Sequence, residues 1–350
     1  MTWLHTVRAP GVMAALGAAL LFGGGTPFAK GLLSSVSPWL LAGLLYLGSG
    51  LGLSLYRLLR RAPAVRLAPG EWLWFAGAII AGGVIGPVLL MFGLTGMPAS
   101  GASLLLNAEA VFTALLAWFA FRESFDRRIA LGMAAIVAGA VVLSWPGDAQ
   151  FSGLWPSLAV LGACLAWGID NNLTRKVSLT DATWIAAIKG WAAGSVNLTL
   201  AFLLGASWPP LTNLAAALVV GCFAYGVSLA LFVIGLRHLG TARTGAYFSV
   251  APFFGALLAI PLLGEAVSMQ LLIAGALMAL GVWLHLTERH AHLHEHEPLA
   301  HAHAHMHDEH HKHEHDFPWN GDEPHTHPHQ HAPLQHSHPH YPDSHHRHHH

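Results

Sequence analysis

Residues 72–94 read WLWFAGAIIAGGVIGPVLLMFGL, a stretch without a single charged side chain. Its length matches the roughly 20 apolar residues that an α-helix needs to cross the core of a bilayer. A helix of this composition has no polar face that could meet water, which argues against a buried helix of a soluble protein. The stretch therefore predicts a transmembrane helix.

Similar stretches, each with at most one charged residue, recur along the chain. Ten are predicted, at residues 11–32, 39–59, 72–94, 99–121, 129–145, 153–173, 183–204, 211–236, 242–263 and 269–286. Charged residues make up 10% of the chain, against about 25% in soluble domains. The sequence predicts an all-α polytopic membrane protein with ten transmembrane helices, whose partner is the lipid bilayer.

Basic residues mark one side of this arrangement, because arginine and lysine in loops favour the cytoplasm. Alternate loops carry nearly all of them, namely Arg8, Arg57, Arg60, Arg61, Arg66, Arg122, Arg127, Arg128, Arg175, Lys176, Arg237 and Arg243. The opposite loops have almost none apart from Lys30. With ten spans, the pattern predicts a bacterial inner-membrane protein with both termini in the cytoplasm.

The two halves of the membrane part, residues 1–146 and 147–286, resemble each other. Phe22-Gly23 matches Trp167-Gly168 at an offset of 145 residues, and Glu123 matches Glu265 at an offset of 142. Because each half holds five predicted spans, the second half must enter the membrane from the opposite side. Such an inverted repeat is typical of alternating-access transporters, whose binding site lies where the repeats meet.

Two paired motifs are more specific. ASLLLNAEAVF at 102–112 runs on to Arg122-Glu123, and YFSVAPFF at 247–254 runs on to Gly264-Glu265. On these motifs the chain resembles the EamA-type drug/metabolite transporter superfamily over residues 10–286. The resemblance implies secondary transport, usually export, of small polar metabolites without ATP. Ala110 stands where the family often has proline, while its counterpart Pro252 is present, which implies a less kinked fourth helix than ninth helix.

Charged side chains at bilayer depth cost at least about 2.5 kcal/mol, so each needs a reason. Glu109 is predicted to bind cargo or a coupling proton, because its own span contains no basic partner. Asp170 either faces the cavity or pairs with Lys189 or Arg175, and the sequence leaves this open. The full predicted substrate-binding and coupling set is Glu109, Asn107, Asp170, Asn171, Trp167, Lys189, Tyr247 and Ser249.

The tail, residues 287–350, holds 24 of the 27 histidines. Its polar, low-complexity composition predicts disorder in the absence of metal. Neutral imidazole is a good ligand for nickel, cobalt and zinc ions, so the tail is predicted to bind them. The predicted ligands lie at His-x-His steps, namely His301, His303, His305, His307, His325, His327, His329 and His331. No other cofactor is expected.

Two cargo hypotheses follow. The leading one is export of a divalent transition metal, nickel or cobalt first and zinc next, with the tail collecting ions in the cytoplasm. The alternative is export of a small polar organic metabolite such as an amino acid, with the tail as a metal sensor or buffer. A non-transporting metal-binding scaffold is a third reading. An enzyme is least favoured, since no catalytic motif appears, and a net charge of −1 implies no nucleic-acid partner. Homodimer formation is left open.

Overall fold

The computed structural model describes residues 10–121, 127–144, 154–286, 291–296, 300–305, 325–330 and 334–339. The helices of the first half are α1 Pro10–Leu32, α2 Pro38–Leu59, α3 Glu71–Ala78, α4 Gly86–Gly96, α5 Ala99–Leu105, α6 Ala108–Phe121 and α7 Arg127–Ser144. Those of the second half are α8 Leu154–Arg175, α9 Ala182–Leu203, α10 Leu211–Val220, α11 Ser228–Phe248, α12 Ala251–Leu263 and α13 Met269–Leu286. A helix lies at each of the ten predicted positions.

Among the described residues, seven helical stretches are long and apolar enough to cross a membrane. They are Pro10–Leu32, Pro38–Leu59, Glu71–Gly96, Ala99–Leu116, Ala182–Leu203, Leu211–Leu239 and Thr244–Leu263. The other three predicted spans lie over α7, α8 and α13, and of these α7 and α13 contain shorter apolar stretches. The structure thus agrees with a polytopic membrane protein, while the count of ten spans stays a prediction.

Helix pairs in the bundle come in matched sets. Helix α1 packs against α11 and α12, and its counterpart α8 packs against α4 and α6. Helix α2 packs against its own counterpart α9, and α7 packs against α13. The α2–α9 contact is close because small residues face each other there: a Cβ added to Gly50 would lie 2.8 Å from the backbone nitrogen of Trp191. Such small-residue contacts are a common way for membrane helices to approach.

The third helix of each half contains a π-helical segment, at Ile79–Ile85 and Gly221–Val227. The two segments are related by an offset of 142 residues. π-helical turns are rare and are frequently found at functional sites. In the first one, the Gly82 carbonyl accepts hydrogen bonds from the Tyr46 hydroxyl at 2.6 Å and the Trp167 indole N–H at 2.9 Å. The altered backbone is thus held by side chains of neighbouring helices.

Two further helices are interrupted near their middle. The first half breaks at Leu106 and Asn107, between α5 and α6, and the second at Ser249 and Val250, between α11 and α12. The break in the first half forms although Ala110 stands where the family often has proline, while the expectation that the fourth helix is less kinked than the ninth stays a prediction. At this break the Asn107 side-chain amide donates to the Leu104 carbonyl at 3.0 Å, a local bond that competes with regular helix.

Ionic contacts hold the helix ends in two places. Asp181 caps the first turn of α9, accepting from the Trp184 N–H at 3.0 Å, and pairs with Arg57 at 2.8 Å. Burial alone would raise the pKa of the Asp181 carboxyl, but hydrogen bonds from Thr183, Arg57 and Trp184 and the charge of Arg57 outweigh it and lower that pKa below its usual value. These contacts join the ends of α2 and α9.

The second place is the turn between α4 and α5. Lys30 donates from Nζ to the carbonyls of Leu94 at 2.5 Å and Met97 at 3.0 Å. The Glu265 carboxylate accepts from the backbone N–H groups of Ala99 at 2.6 Å and Ser100 at 2.9 Å. The turn is thereby bound on one side by the first helix of the bundle and on the other by the segment between α12 and α13.

The tail forms a separate compact unit, Arg289–Tyr341, in which the structure describes four strands. Strand β1 Ala291–His296 pairs antiparallel with β4 Leu334–Pro339, and β2 Ala300–His305 pairs antiparallel with β3 His325–Gln330. The predicted disorder of the metal-free tail stays a prediction. The His-x-His steps repeat with a period of two, which is also the period of a β-strand. The predicted ligands His307 and His331 lie outside the described residues.

Candidate functional site

A partly open cavity lies inside the bundle between the two halves, and about 460 Å³ of space is enclosed by its walls and mouth together. Helices α1, α2, α6, α8 and α11 and the π-helical segment Gly221–Val227 contribute to its wall. Its lining residues are Phe22, Tyr46, Glu109, Trp167, Asp170, Asn171, Ala224, Tyr225, Ser228, Leu229, Phe232 and Phe248. An adjoining pocket of about 350 Å³ shares Phe22, Glu109, Asn171, Phe232 and Phe248 with it and adds Ser249 and Pro252.

Glu109 occupies the wall common to both pockets. It lies in the first turn of α6, directly after the helix break, where the helix dipole favours a negative charge. Its carboxylate accepts a hydrogen bond from Asn171 Nδ2 at 2.8 Å, and Asn171 also donates to Thr113 Oγ1 at 3.2 Å. Among the residues that the structure describes, no basic side chain forms an ion pair with Glu109. The site therefore offers one buried carboxylate without a counter-charge.

Asp170 both lines the cavity and pairs with Lys189, so the two alternatives that the sequence left open coexist. Lys189 Nζ lies 2.6 Å from each carboxylate oxygen of Asp170, and Thr174 donates to Oδ1 at 2.7 Å. Lys189 is completely buried. The space beside the pair is made by Gly82, where a Cβ atom would overlap the Asp170 carboxylate. This carboxylate is neutralised by the protein itself, unlike that of Glu109.

Some of the other predicted residues line one of the two pockets, and some do not. Trp167 and Asn171 line the larger cavity, and Ser249 lines the smaller one, where its hydroxyl donates to the Gly245 carbonyl at 2.8 Å. Asn107 is buried at the break in the fourth helix, and it and Tyr247 are absent from the walls of both pockets. Their roles in cargo binding stay predictions.

Sequence reasoning missed the aromatic character of the wall. Phe22 lies at the centre of an aromatic cluster, with ring centroids 5.6 Å from Trp167, 5.8 Å from Tyr225 and 5.5 Å from Phe248. The internal repeat contains a signal for this residue, because Phe22 is the counterpart of Trp167 at the offset of 145. The two rings meet edge to face across the boundary between the halves.

Nitrogen and sulfur ligands are scarce around this site. Among the side chains that the structure describes, no group of three or more histidine, cysteine, aspartate or glutamate residues is placed to hold a metal ion. Cys164 is buried and donates to the Leu105 carbonyl at 3.6 Å, and Cys222 is half-buried against Gly52. The cavity therefore offers oxygen atoms and aromatic faces.

Comparisons with known proteins agree with this architecture. The model of the EamA-like transporter family matches twice, over residues 9–145 and 154–287. An uncharacterized transporter of Methanothermobacter thermautotrophicus is 31% identical over 78% of this chain and 85% of its own length. A solved crystal structure superimposes with a TM-score of 0.63 at 20% identity, covering 78% of this chain and 95% of the other, and shows the same fold.

Two relatives have names that mention a cargo. A probable amino-acid metabolite efflux pump of Salmonella typhimurium is 26% identical over 54% of this chain and 68% of its own length. A probable terminal-alkyne amino-acid exporter of Streptantibioticus cattleyicolor is 27% identical over 56% of this chain and 67% of its own length.

Proposed function

Because the chain belongs to the EamA-like transporter family, we propose that it is a secondary exporter of a small organic amine, with an amino acid as the leading cargo. The observation that carries the proposal is Glu109, a buried carboxylate without a basic partner among the described residues. An isolated buried charge is costly, so a cation that enters the cavity is attracted to it. The ammonium group of an amine is such a cation.

The aromatic wall supports an organic cation over a bare metal ion. Phe22, Tyr225 and Trp167 surround the same space as Glu109. Aromatic faces attract ammonium groups through cation–π interactions, worth about 2 kcal/mol or more when desolvated. The same faces bury the apolar part of an organic molecule. Asn171 and Ser228 add neutral hydrogen-bonding groups to this wall.

The same carboxylate can couple the export of the cargo to the entry of protons. Asp170 is already paired with Lys189, so Glu109 is the carboxylate that can bind a further positive charge. That charge is either a proton or the ammonium group of the cargo. If the two bind in turn on opposite sides of the membrane, cargo leaves as a proton enters. Such exchange needs no ATP, and the sequence contains no GxxxxGK[ST] motif.

Export of nickel, cobalt or zinc, the leading hypothesis from the sequence, stays a second candidate. The histidine-rich tail supports it. The cavity supports it less, because the described lining offers carboxylate, amide and hydroxyl oxygens, which suit magnesium or calcium better than nickel. We further propose that the chain lies in the bacterial inner membrane with both termini in the cytoplasm, as the loop charges predict.

The test is transport by the purified chain in proteoliposomes with an imposed pH gradient. Radiolabelled amino acids and radioactive nickel are supplied separately to wild type and to Glu109→Gln. We expect amino-acid accumulation that depends on the gradient and that falls at least about tenfold in Glu109→Gln, since the amide cannot exchange a proton for an ammonium group.

The matched control is Glu71→Gln, which makes the same chemical change at the start of α3, outside the cavity. It should transport as the wild type does. Gradient-dependent accumulation that survives Glu109→Gln would contradict the proposed role of Glu109. Accumulation of nickel, and of no amino acid, would replace the amine by the metal as cargo.

A further inference from the structure

The wall of the larger cavity has five side chains that can donate a hydrogen bond, and four of them already donate within the protein. These four bonds are Tyr46 Oη to the Gly82 carbonyl at 2.6 Å, Trp167 Nε1 to the same carbonyl at 2.9 Å, Asn171 Nδ2 to Glu109 at 2.8 Å, and Ser228 Oγ to the Ala18 carbonyl at 2.8 Å. A molecule in the cavity therefore meets side chains whose donors are mostly engaged.

Tyr225 is the fifth donor. Its side chain is buried, yet it forms no hydrogen bond within the part of the chain that the structure describes. The fully enclosed oxygens without a partner include Ser103 Oγ but not Tyr225 Oη, so this hydroxyl keeps surface open to the cavity. Its ring is fixed by Phe22 at 5.8 Å and Tyr46 at 5.3 Å between centroids. Because a buried tyrosine hydroxyl usually has a partner, this free one indicates a ligand group.

Glu109 shows the complementary feature on the same wall. Asn171 donates to its Oε1 atom, while Oε2 receives no hydrogen bond from the described residues and is not fully enclosed. The cavity thus presents one free carboxylate oxygen, which accepts, and one free phenolic hydroxyl, which donates. None of the described lining residues is basic, so a negatively charged group in the cavity has Tyr225 as its available donor.

From these two free groups we propose that the cavity recognises a zwitterion, in which the ammonium group binds Glu109 and the carboxylate accepts from the Tyr225 hydroxyl. Tyr225 is then the residue that distinguishes an amino acid from a simple amine. This inference rests on the proposed function, because it keeps Glu109 as the site of the ammonium group. It adds the contact to the carboxylate, which sequence reasoning did not assign.

The internal repeat supplies each of the two groups once. At the offset of 142 residues, Tyr225 corresponds to Gly83 and Glu109 corresponds to Ala251. A Cβ atom on Gly83 would lie 2.7 Å from the Ala193 Cβ, so the first half has no space for a side chain at this position. The first half therefore provides the carboxylate and the second half provides the hydroxyl. A zwitterion bound by both groups joins the two halves, as expected for a site at a repeat interface.

The test measures equilibrium binding of tritiated ligands to the full chain, purified in detergent, by a scintillation proximity assay. The ligands form two pairs, leucine with 3-methylbutylamine and phenylalanine with phenethylamine, whose members differ by the carboxylate alone. Tyr225→Phe removes the hydroxyl and keeps the ring. Glu109→Gln removes the charge that binds the ammonium group of both members. The matched control, Tyr56→Phe, makes the same change as Tyr225→Phe at an exposed position of α2.

We expect Tyr225→Phe to weaken binding of each amino acid by at least about tenfold, because a hydrogen bond to a charged group is lost. Binding of the two amines should stay within about twofold of the wild type, since they do not have the group that this hydroxyl contacts. Glu109→Gln should weaken amines and amino acids alike. Tyr56→Phe should bind all four ligands as the wild type does. A folding defect would lower binding of both members of a pair, so the selective loss identifies the carboxylate contact.

Two results would overturn the role of Tyr225 and leave the amine exporter in place. The first is an equal effect of Tyr225→Phe on both members of each pair, including no effect on either. The second is a wild type that binds the amines and not the amino acids, because the carboxylate then has no place in the cavity. A wild type that binds neither member of either pair would instead contradict the proposed function, and this inference would fail with it.

Discussion

At the scale of single residues, Asp170 of α8 and Lys189 of α9 show how the helix bundle holds two buried charges. Both side chains are almost completely buried, and the ammonium group contacts both carboxylate oxygens. Each charge offsets the cost of burying the other, whereas removing one partner leaves an uncompensated charge that costs about 3–5 kcal/mol. Each member of the pair is thus needed to compensate the charge of the other, whether or not the pair also takes part in transport.

We expect Asp170→Asn and Lys189→Met to lower the stability of the folded protein strongly as single changes, by about 3–5 kcal/mol each. The double variant should recover most of this loss, because no unpaired charge remains. The stability of all three variants is measured by thermal unfolding in detergent, monitored by size-exclusion chromatography. Single variants as stable as the wild type would show that the pair contributes little to folding.

At the scale of helices, the turn between α4 and α5 is held by a charged group from each half of the chain. Lys30 binds carbonyls at the end of α4, and Glu265 binds the first free N–H groups of α5. Hydrogen bonds to charged groups contribute about 1.5–3 kcal/mol each. This turn is therefore held by charged groups from both halves of the chain.

The change Glu265→Gln tests how strongly these contacts hold the turn. The neutral amide keeps one oxygen for two N–H donors, so we expect a loss of stability of about 1.5–3 kcal/mol. Glu71→Gln is the control, because Glu71 binds the Ala68 N–H at 3.0 Å at the surface. A thermal shift equal to that of the control would mean that the Glu265 contacts do not hold the turn.

Features that extend over a whole span could be predicted from the sequence, whereas features set by a few backbone hydrogen bonds or by one contact could not. Hydropathy predicted a helix at each of the ten positions, because apolar composition persists over a whole span. It could not predict the π-helical segment at Ile79–Ile85 or the break at Leu106. Both are changes in which backbone groups form hydrogen bonds with each other, and such changes have no signal in the hydropathy of the side chains. Glu109 was found because a charge in a span is conspicuous. Phe22 was missed because an aromatic residue in a span is ordinary, and only its contact with Trp167 reveals its place.

At the scale of the whole molecule, the inverted repeat and the loop charges make one joint prediction about orientation. The loop after α1, which contains Ser34, should lie outside the cytoplasm, and the loop after α2, with Arg60, Arg61 and Arg66, should lie inside it. Both loops have exposed positions suited to labelling, Ser34 and Ala64. The orientation matters for the tail, because a cytoplasmic tail meets metal ions inside the cell.

We expect a membrane-impermeant maleimide to label Ser34→Cys in intact cells and to label Ala64→Cys after permeabilisation alone. Both changes are made in a background with Cys164→Ala and Cys222→Ala, which serves as the unlabelled control. The reverse pattern would place the first loop inside the cell. An even number of spans, as the two matched halves require, would then put both termini outside, and a tail there could not collect cytoplasmic metal for export. The labelling result therefore decides whether the histidine-rich tail can meet ions of the cytoplasm.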